Sequence, residues 1–238
     1  CNGVNPMDVV VLISADTEWR AVRQNLPGRE VQQTPFGESV CRDLLLNNQT
    51  RQILYMHGGW GKISAGASTQ YAIDRWQPKL LVNLGTCGGF EGHIERGEIV
   101  LVEKTLVYDI YEQMGDPGSH IDHYTTRIDL SWLESHYPSP VRRGLMVSGD
   151  RDLAPAEIGD LKRKYGAAAG DWESGAIAFV AQRNSTPILI LRGVSDLVNE
   201  QGGEAYGDEA LFDQSAKKIL TQLLKVLPGW LEATAFFR

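Results

Sequence analysis

The sequence predicts a layered α/β protein, on three observations. Short β-branched apolar runs lack the alternation of a one-sided sheet, Ala-rich or amphipathic helical stretches separate them, and no linker-like stretch divides the 238 residues. A single domain over residues 7–238 is therefore expected. With 42% hydrophobic and 22% charged residues, the composition is that of an ordinary globular chain able to bury a substantial core.

The first strand is Val9 to Ile13, apolar on both faces. It leads through Ser14-Ala15-Asp16-Thr17-Glu18 into a helix over Trp19 to Leu26, closed by Pro27-Gly28, so Glu18 sits near a strand-to-helix turn. Further strands are expected at Ile53–Met56, Leu80–Leu84, Ile99–Val102, Leu145–Val147 and Pro187–Leu191. Helices are expected over Ser64 to Trp76, Glu173 to Arg183 and Glu209 to Leu227, the last with Leu211, Ala216, Leu220, Leu223 and Leu227 on one face. Gly115 to His123 and Gly202 to Gly207 read as mobile loops.

Charge and cysteine usage narrow the function. A net charge of −7 without any run of Lys or Arg excludes the electrostatic footprint of a nucleic-acid or anionic-membrane binder and leaves a small ligand. The three cysteines, Cys1, Cys41 and Cys87, have no metal-ligand spacing and imply no disulfide framework, which favours a reducing compartment. No apolar run reaches the length of a membrane span, and the start of the chain lacks the pattern of a signal peptide, so a cytoplasmic location is expected. Residues 1–6 precede Met7 and the first strand; they read as a cloning remnant or linker, ahead of the alternative that Cys1 is a lipid-modified N-terminus. The five histidines, His57, His93, His120, His123 and His136, show no paired metal spacing.

Four segments carry composition suited to chemistry, and each has a plain structural reading beside it. Gly58-Gly59-Trp60-Gly61-Lys62 permits close backbone approach to a ligand, yet it lacks the spacing of a phosphate-binding P-loop and also reads as a simple turn. Asn83-Leu84-Gly85-Thr86-Cys87-Gly88-Gly89-Phe90 suits a backbone wrapped around a sugar or anion, or a crossover that lets layers pack; Cys87 reads as a packed thiol rather than a nucleophile. Gly170-Asp171-Trp172-Glu173-Ser174-Gly175 opens a helix whose dipole favours a carboxylate, the ordinary role of a capping acid. Arg192-Gly193-Val194-Ser195-Asp196 follows an apolar strand, where an Asp is also a common turn former. All four lie at strand ends or helix starts, which converge on one rim of an α/β sheet.

The order GGxGK, NxGTCGGF, VSGD, DWESGAIAFVA and RGVSDLV resembles the nucleoside phosphorylase and nucleosidase superfamily over Asp8 to Leu227, and most of all the 5′-methylthioadenosine/S-adenosylhomocysteine nucleosidases. The resemblance implies a three-layer α/β/α sandwich around a central mixed sheet, assembled as a homodimer, with neither metal nor organic cofactor. It also implies roles. Glu18 falls where the family helps activate the attacking water, Glu173 where it holds the ribose hydroxyls and the developing sugar cation, and Asp196 where it passes a proton to the departing purine. Arg192 and Thr86 would lie at the water and ribose, and Ser195 would orient Asp196. Cys87, Gly88, Asp171, Trp172, Asp152 and Leu153 complete the implied substrate-binding set.

The chemistry asks for these residue types in its own right. Breaking an N-glycosidic bond builds cationic character on the ribose and negative charge on the base, so carboxylates must flank the sugar and an acid must meet the base. An Asp that donates a proton at neutral pH needs a pKa raised by burial or by neighbouring carboxylates. The activity that the resemblance implies is hydrolysis of a purine nucleoside, with adenine ahead of other bases. Phosphorolysis is the alternative: Asn83-Leu84 occupy the stretch where phosphorylases carry an arginine, although Arg20 and Arg23 keep phosphate in view. A binding module without turnover is the third reading, because Trp172 replaces the usual methionine and Arg151-Asp152 put charge where an apolar residue normally meets the base.

Overall fold

The computed structural model describes residues 6–238, so the expectation for residues 1–6 falls almost wholly outside the described residues. In chain order the elements are β1 (Val9–Ile13), α1 (Asp16–Asn25), β2 (Val31–Gln33), β3 (Glu38–Leu46), β4 (Gln49–His57), α2 (Gly61–Trp76), β5 (Leu80–Phe90), β6 (Ile99–Val107) and α3 (Pro117–His123). They continue with β7 (Thr126–Arg127), β8 (Arg142–Ser148), α4 (Pro155–Tyr165), β9 (Ala167–Asp171), α5 (Ser174–Arg183), β10 (Ile188–Asn199), β11 (Gly202–Gly203) and α6 (Glu209–Glu232).

The strands form one mixed sheet. β1 is parallel to β4 and β5, while β3 runs antiparallel to β4 and β2 to β3 at the outer edge. Alternate residues of β1 enter opposite cores, as two-sided burial requires. Val9, Val11 and Ile13 pack with Val22 of α1 and Leu220, Leu223 and Trp230 of α6. Val10 and Leu12 pack with Ala65 and Ala72 of α2 and Ile177 and Ala178 of α5. The expected helix–sheet–helix layering follows from these two cores.

At its other half the sheet curls into a closed ring. β5 pairs with β9, β9 with β8, β8 with β6, β6 with β10, and β10 returns to β5 in parallel register. Such curvature needs small residues where walls approach: a Cβ on Gly89 of β5 would lie 2.6 Å from Val194 Cγ1 and 2.7 Å from Ile94 Cγ2.

This closure corrects the expected loops. The segments 85–90 and 192–196 are not loops beyond strands but the second halves of β5 and β10, which pair with each other from Ile188/Leu81 to Val198/Phe90. Gly115 to His123 contains α3, and Gly202 to Gly207 contains β11. The last helix does not stop at Leu227: it runs through Pro228 to Glu232, where buried Trp230 and Leu231 hold the final turn against the core. The cysteine reading also changes. Cys41 is disulfide-bonded while Cys87 is a free buried thiol, so the support that an absent disulfide lent to a reducing compartment falls away. Among the described residues no helix is long and apolar enough to cross a membrane.

Candidate active site

The ends of β1, β5, β9 and β10 surround a cavity of about 670 Å³ whose wall includes all twelve site residues expected from the sequence. Its centre is a buried ionic cluster. The Arg192 side chain, 1% exposed, donates from Nε and Nη2 to Asn83 Oδ1 (3.0 and 2.8 Å) and from Nη1 to the Thr86 carbonyl (3.1 Å). Its Nη1 and Nη2 each lie 3.4 Å from Glu173 Oε2, and its Nε lies 3.3 Å from Asp171 Oδ2. Burial opposes the Arg192 charge, but Asp171, Glu173 and Glu18 outweigh it and hold its pKa above the usual arginine range. All three guanidinium nitrogens are engaged by protein acceptors. Arg192 therefore lines the cavity as a fixed cation paired with Glu173 and Asp171.

Glu18 enters from the first turn of α1. Its Oε2 accepts the N–H of the N-cap residue Ala15 (3.1 Å), and its Oε1 accepts both the N–H (2.7 Å) and the hydroxyl (2.9 Å) of Thr86. Thr86 thus orients Glu18, and the backbone between them must be bare: a Cβ on Gly85 would lie 2.6 Å from Arg192 Nη1 and 2.9 Å from Glu18 Oε1.

Glu173 stands at the N-cap position of α5 without a capping bond from its side chain, and it lies buried at 6% exposure. Burial is the largest influence on it, raising its pKa to about 7, with Asp171 and Glu18 adding to the rise and Arg192 and the Gly61 N–H opposing it. That N–H reaches Glu173 Oε1 at 3.0 Å, which gives the GGWGK segment its place: a left-handed Gly61 (φ 82°) turns its amide onto the carboxylate as α2 begins. Asp171 is tied down differently. Its Oδ1 accepts from Ser148 Oγ (2.7 Å) and from the N–H groups of Glu173 and Ser174, and its Oδ2 takes the Ser174 hydroxyl, so Asp171 anchors the start of α5 and holds Arg192.

Asp196 stands on β10 where the pairing with β5 shifts register between Val194 and Asp196. The extra residue, Ser195, makes a bulge that re-aims the strand, and its hydroxyl donates to Asp196 Oδ1 at 2.6 Å. Burial pushes the Asp196 pKa up, the Ser195 bond draws it back, and Glu204 adds to the rise. This is the direction a proton donor requires. Cys87 is a buried part of the wall, with burial raising its thiol pKa well above the ordinary value, as befits a packed thiol.

The remaining expected residues divide. Leu153 is buried against Gly88 and Gly170, where added Cβ atoms would meet its methyls at 3.4 and 2.8 Å, so it forms a firm apolar wall. Asp152 is exposed at the rim. Trp172 meets Trp60 edge-on with ring centres 5.9 Å apart. Trp60, Tyr206 and Phe212 line the cavity although nothing local in the sequence singles them out as ligand-facing; Trp60 lies inside a motif read only for its glycines. Of the cavity's two arginines, Arg192 is held as above and Arg151 pairs with Glu157 at 2.6 Å. Arg20 and Arg23 lie outside the wall, paired with Asp213 and Glu38 at 3.6 Å each. Among the described residues no group of three or more His, Cys, Asp or Glu side chains is placed to hold a metal ion.

A 5′-methylthioadenosine/S-adenosylhomocysteine nucleosidase of Bacillus cytotoxicus is 23% identical over 233 residues, covering 93% of this chain and 98% of its own. The fold is shared with two solved structures. One is S-adenosylhomocysteine nucleosidase from Streptococcus pyogenes in complex with 5-methylthiotubericidin (TM-score 0.74, 17% identity, 95% of this chain and 97% of that one). The other is 5′-methylthioadenosine/S-adenosylhomocysteine nucleosidase from Neisseria meningitidis in complex with methylthio-immucillin-A (TM-score 0.73, 20% identity, 94% and 98%). The sequence profile of the phosphorylase superfamily matches residues 8–227, which takes in every element from β1 to most of α6, and the chain belongs to that superfamily.

Proposed function

We propose that this protein hydrolyses the N-glycosidic bond of a purine nucleoside, with 5′-methylthioadenosine, S-adenosylhomocysteine or a related adenine nucleoside as substrate. The observation that carries the reading is the separation of three buried acids on one cavity: Glu18 held by Thr86, Glu173 held by Arg192 and Gly61, and Asp196 held by Ser195. Glu173 accepts the ribose hydroxyls and offsets the cationic sugar of the transition state. Asp196, with its raised pKa, meets the departing base with a proton. Glu18, fixed through both oxygens, draws a proton from the attacking water. The names of the superfamily relatives point the same way.

Water is favoured over phosphate because both cavity arginines are neutralised by protein carboxylates, and Arg20 and Arg23 lie away from the wall. We read residues 7–238 as one catalytic domain and the assembly as a homodimer. Exposed Trp60 and Ile63 of the α2 start and Tyr111 and Met114 after β6 support the latter, the two segments being joined by Lys62 and Asp109. Incubation with candidate nucleosides, with and without phosphate, followed by detection of free base and sugar, tests the reaction. Release of base and free ribose sugar at the same rate in both is expected; strict phosphate dependence with a ribose 1-phosphate product would replace hydrolase by phosphorylase.

A further inference from the structure

The β10–β11 hairpin places one side chain at the base end of the cavity that the proposed reaction does not use. Val198 pairs with Gly203 and Asn199 with Gly202, and the Glu204 N–H extends the pairing to the Leu197 carbonyl at 3.0 Å. Beyond Glu204 the chain leaves the pairing in a turn, where the Ala205 N–H reaches the Asp196 carboxylate and Tyr206 lines the same cavity. The returning arm is fixed on both sides: Glu204 accepts the Leu197 N–H (2.9 Å) and pairs with Arg96 (2.6 Å), and the Tyr206 N–H bonds the Gly203 carbonyl (3.1 Å). The Tyr206 ring lies flat on Gly203, where a Cβ would come within 2.5 Å of Cε1.

From that position the Tyr206 hydroxyl donates to the Leu153 carbonyl at 2.9 Å, bridging the 204–208 arm to the wall formed by Leu153. A phenol has one proton and two lone pairs. With the proton held by Leu153, what Tyr206 Oη offers the cavity is acceptor capacity alone. Burial, then Asp152 and Asp196, push its pKa to about 12, so the proton stays in place at neutral pH.

We propose that Tyr206 is a specificity-determining residue that accepts a hydrogen bond from the exocyclic amino group of the base, favouring 6-aminopurine over 6-oxopurine nucleosides. The inference rests on the nucleosidase reading. An amino group facing Oη donates to a lone pair; an oxo group there sets lone pair against lone pair and leaves both unsatisfied.

The test compares wild type with Tyr206→Phe, which keeps the ring and removes the oxygen. Hydrolysis of 5′-methylthioadenosine and 5′-methylthioinosine gives the kinetic ratio, and equilibrium binding of adenine and hypoxanthine gives the affinity ratio. Expected is a wild-type preference for the amino compounds, with Tyr206→Phe losing about tenfold in kcat/KM on the amino substrate and little on the oxo one. The affinity ratio should narrow in parallel. Equal losses on both bases, or an unchanged ratio, would overturn the assignment. Should wild type hydrolyse neither nucleoside, the nucleosidase reading fails, and the affinity ratio still decides the role of Tyr206.

Discussion

Asn83 and Arg192 form a closed pair at the base of the cavity: Asn83 Oδ1 accepts from both Nε and Nη2, and its Nδ2 donates to the Leu12 carbonyl at 3.0 Å. The arginine is thereby fixed to β1 and β5 from behind while its forward edge holds Glu173. Replacing Asn83 by Ala would strand buried guanidinium N–H groups. Destabilisation of about 1–3 kcal/mol is expected, read from urea unfolding, together with a rise in KM as Glu173 loosens. Wild-type stability in the variant would remove Asn83 from this role.

Asp196→Asn keeps an acceptor for the Ser195 hydroxyl but carries no proton to give to the base. Turnover should fall about 10²–10⁴-fold with KM little changed. A variant with undiminished kcat would show that the base departs without help from this residue.

Glu173 should impose an acid limb on activity. Its pKa is raised to about 7 by burial, so as pH falls through that value the carboxylate gains a proton and loses capacity to accept ribose hydroxyls. kcat/KM should therefore decline below pH 7, and Glu173→Gln should be slow at every pH without that limb. Stability runs the opposite way. A carboxyl near 4.5 when unfolded and near 7 when folded favours the folded state fully below 4.5, and that contribution is lost as pH rises through 7. Calorimetry from pH 4.5 to 8 on wild type and Glu173→Gln isolates it; parallel curves would contradict the shift.

Gly85→Ala places a methyl group between Arg192 Nη1 and Glu18 Oε1, at 2.6 and 2.9 Å. Neither neighbour is the free end of a mobile side chain, since both are bonded on other sides. Overpacking of about 1–3 kcal/mol and a large fall in kcat are expected, measured by thermal unfolding and steady-state rates. Full activity in this variant would mean that Glu18 need not sit where it does.

Much of this was legible in the sequence because it is written locally. Val9 to Ile13 is apolar at every position, and a strand buried on both faces is what such a run can form. Glycines in GTCGGF and the acid-rich start of the DWESGA helix marked backbone that must approach something closely. Element ends were less legible. Glycine in 85–90 and 192–196 reads as loop by propensity, yet both segments are strand, because closing the ring of β5, β9, β8, β6 and β10 satisfies their backbone groups and demands small residues at the approach points.

By itself, then, the sequence determined the two-sided strands and the layering, which follow from residue type and short-range spacing, while the three acids were picked out by the order of motifs that resembles the superfamily. Only the tertiary structure decided what each side chain does with its hydrogen bonds. It paired Arg192 with Glu173, gave Thr86 to Glu18, tied Asp171 to Ser148 and Ser174, and brought Tyr206 to the cavity wall that also holds Asp196. The reason is that a buried polar group takes its role from the partners that surround it. Asn83 and Arg192, separated by 109 positions, become partners only when the sheet brings β5 and β10 side by side.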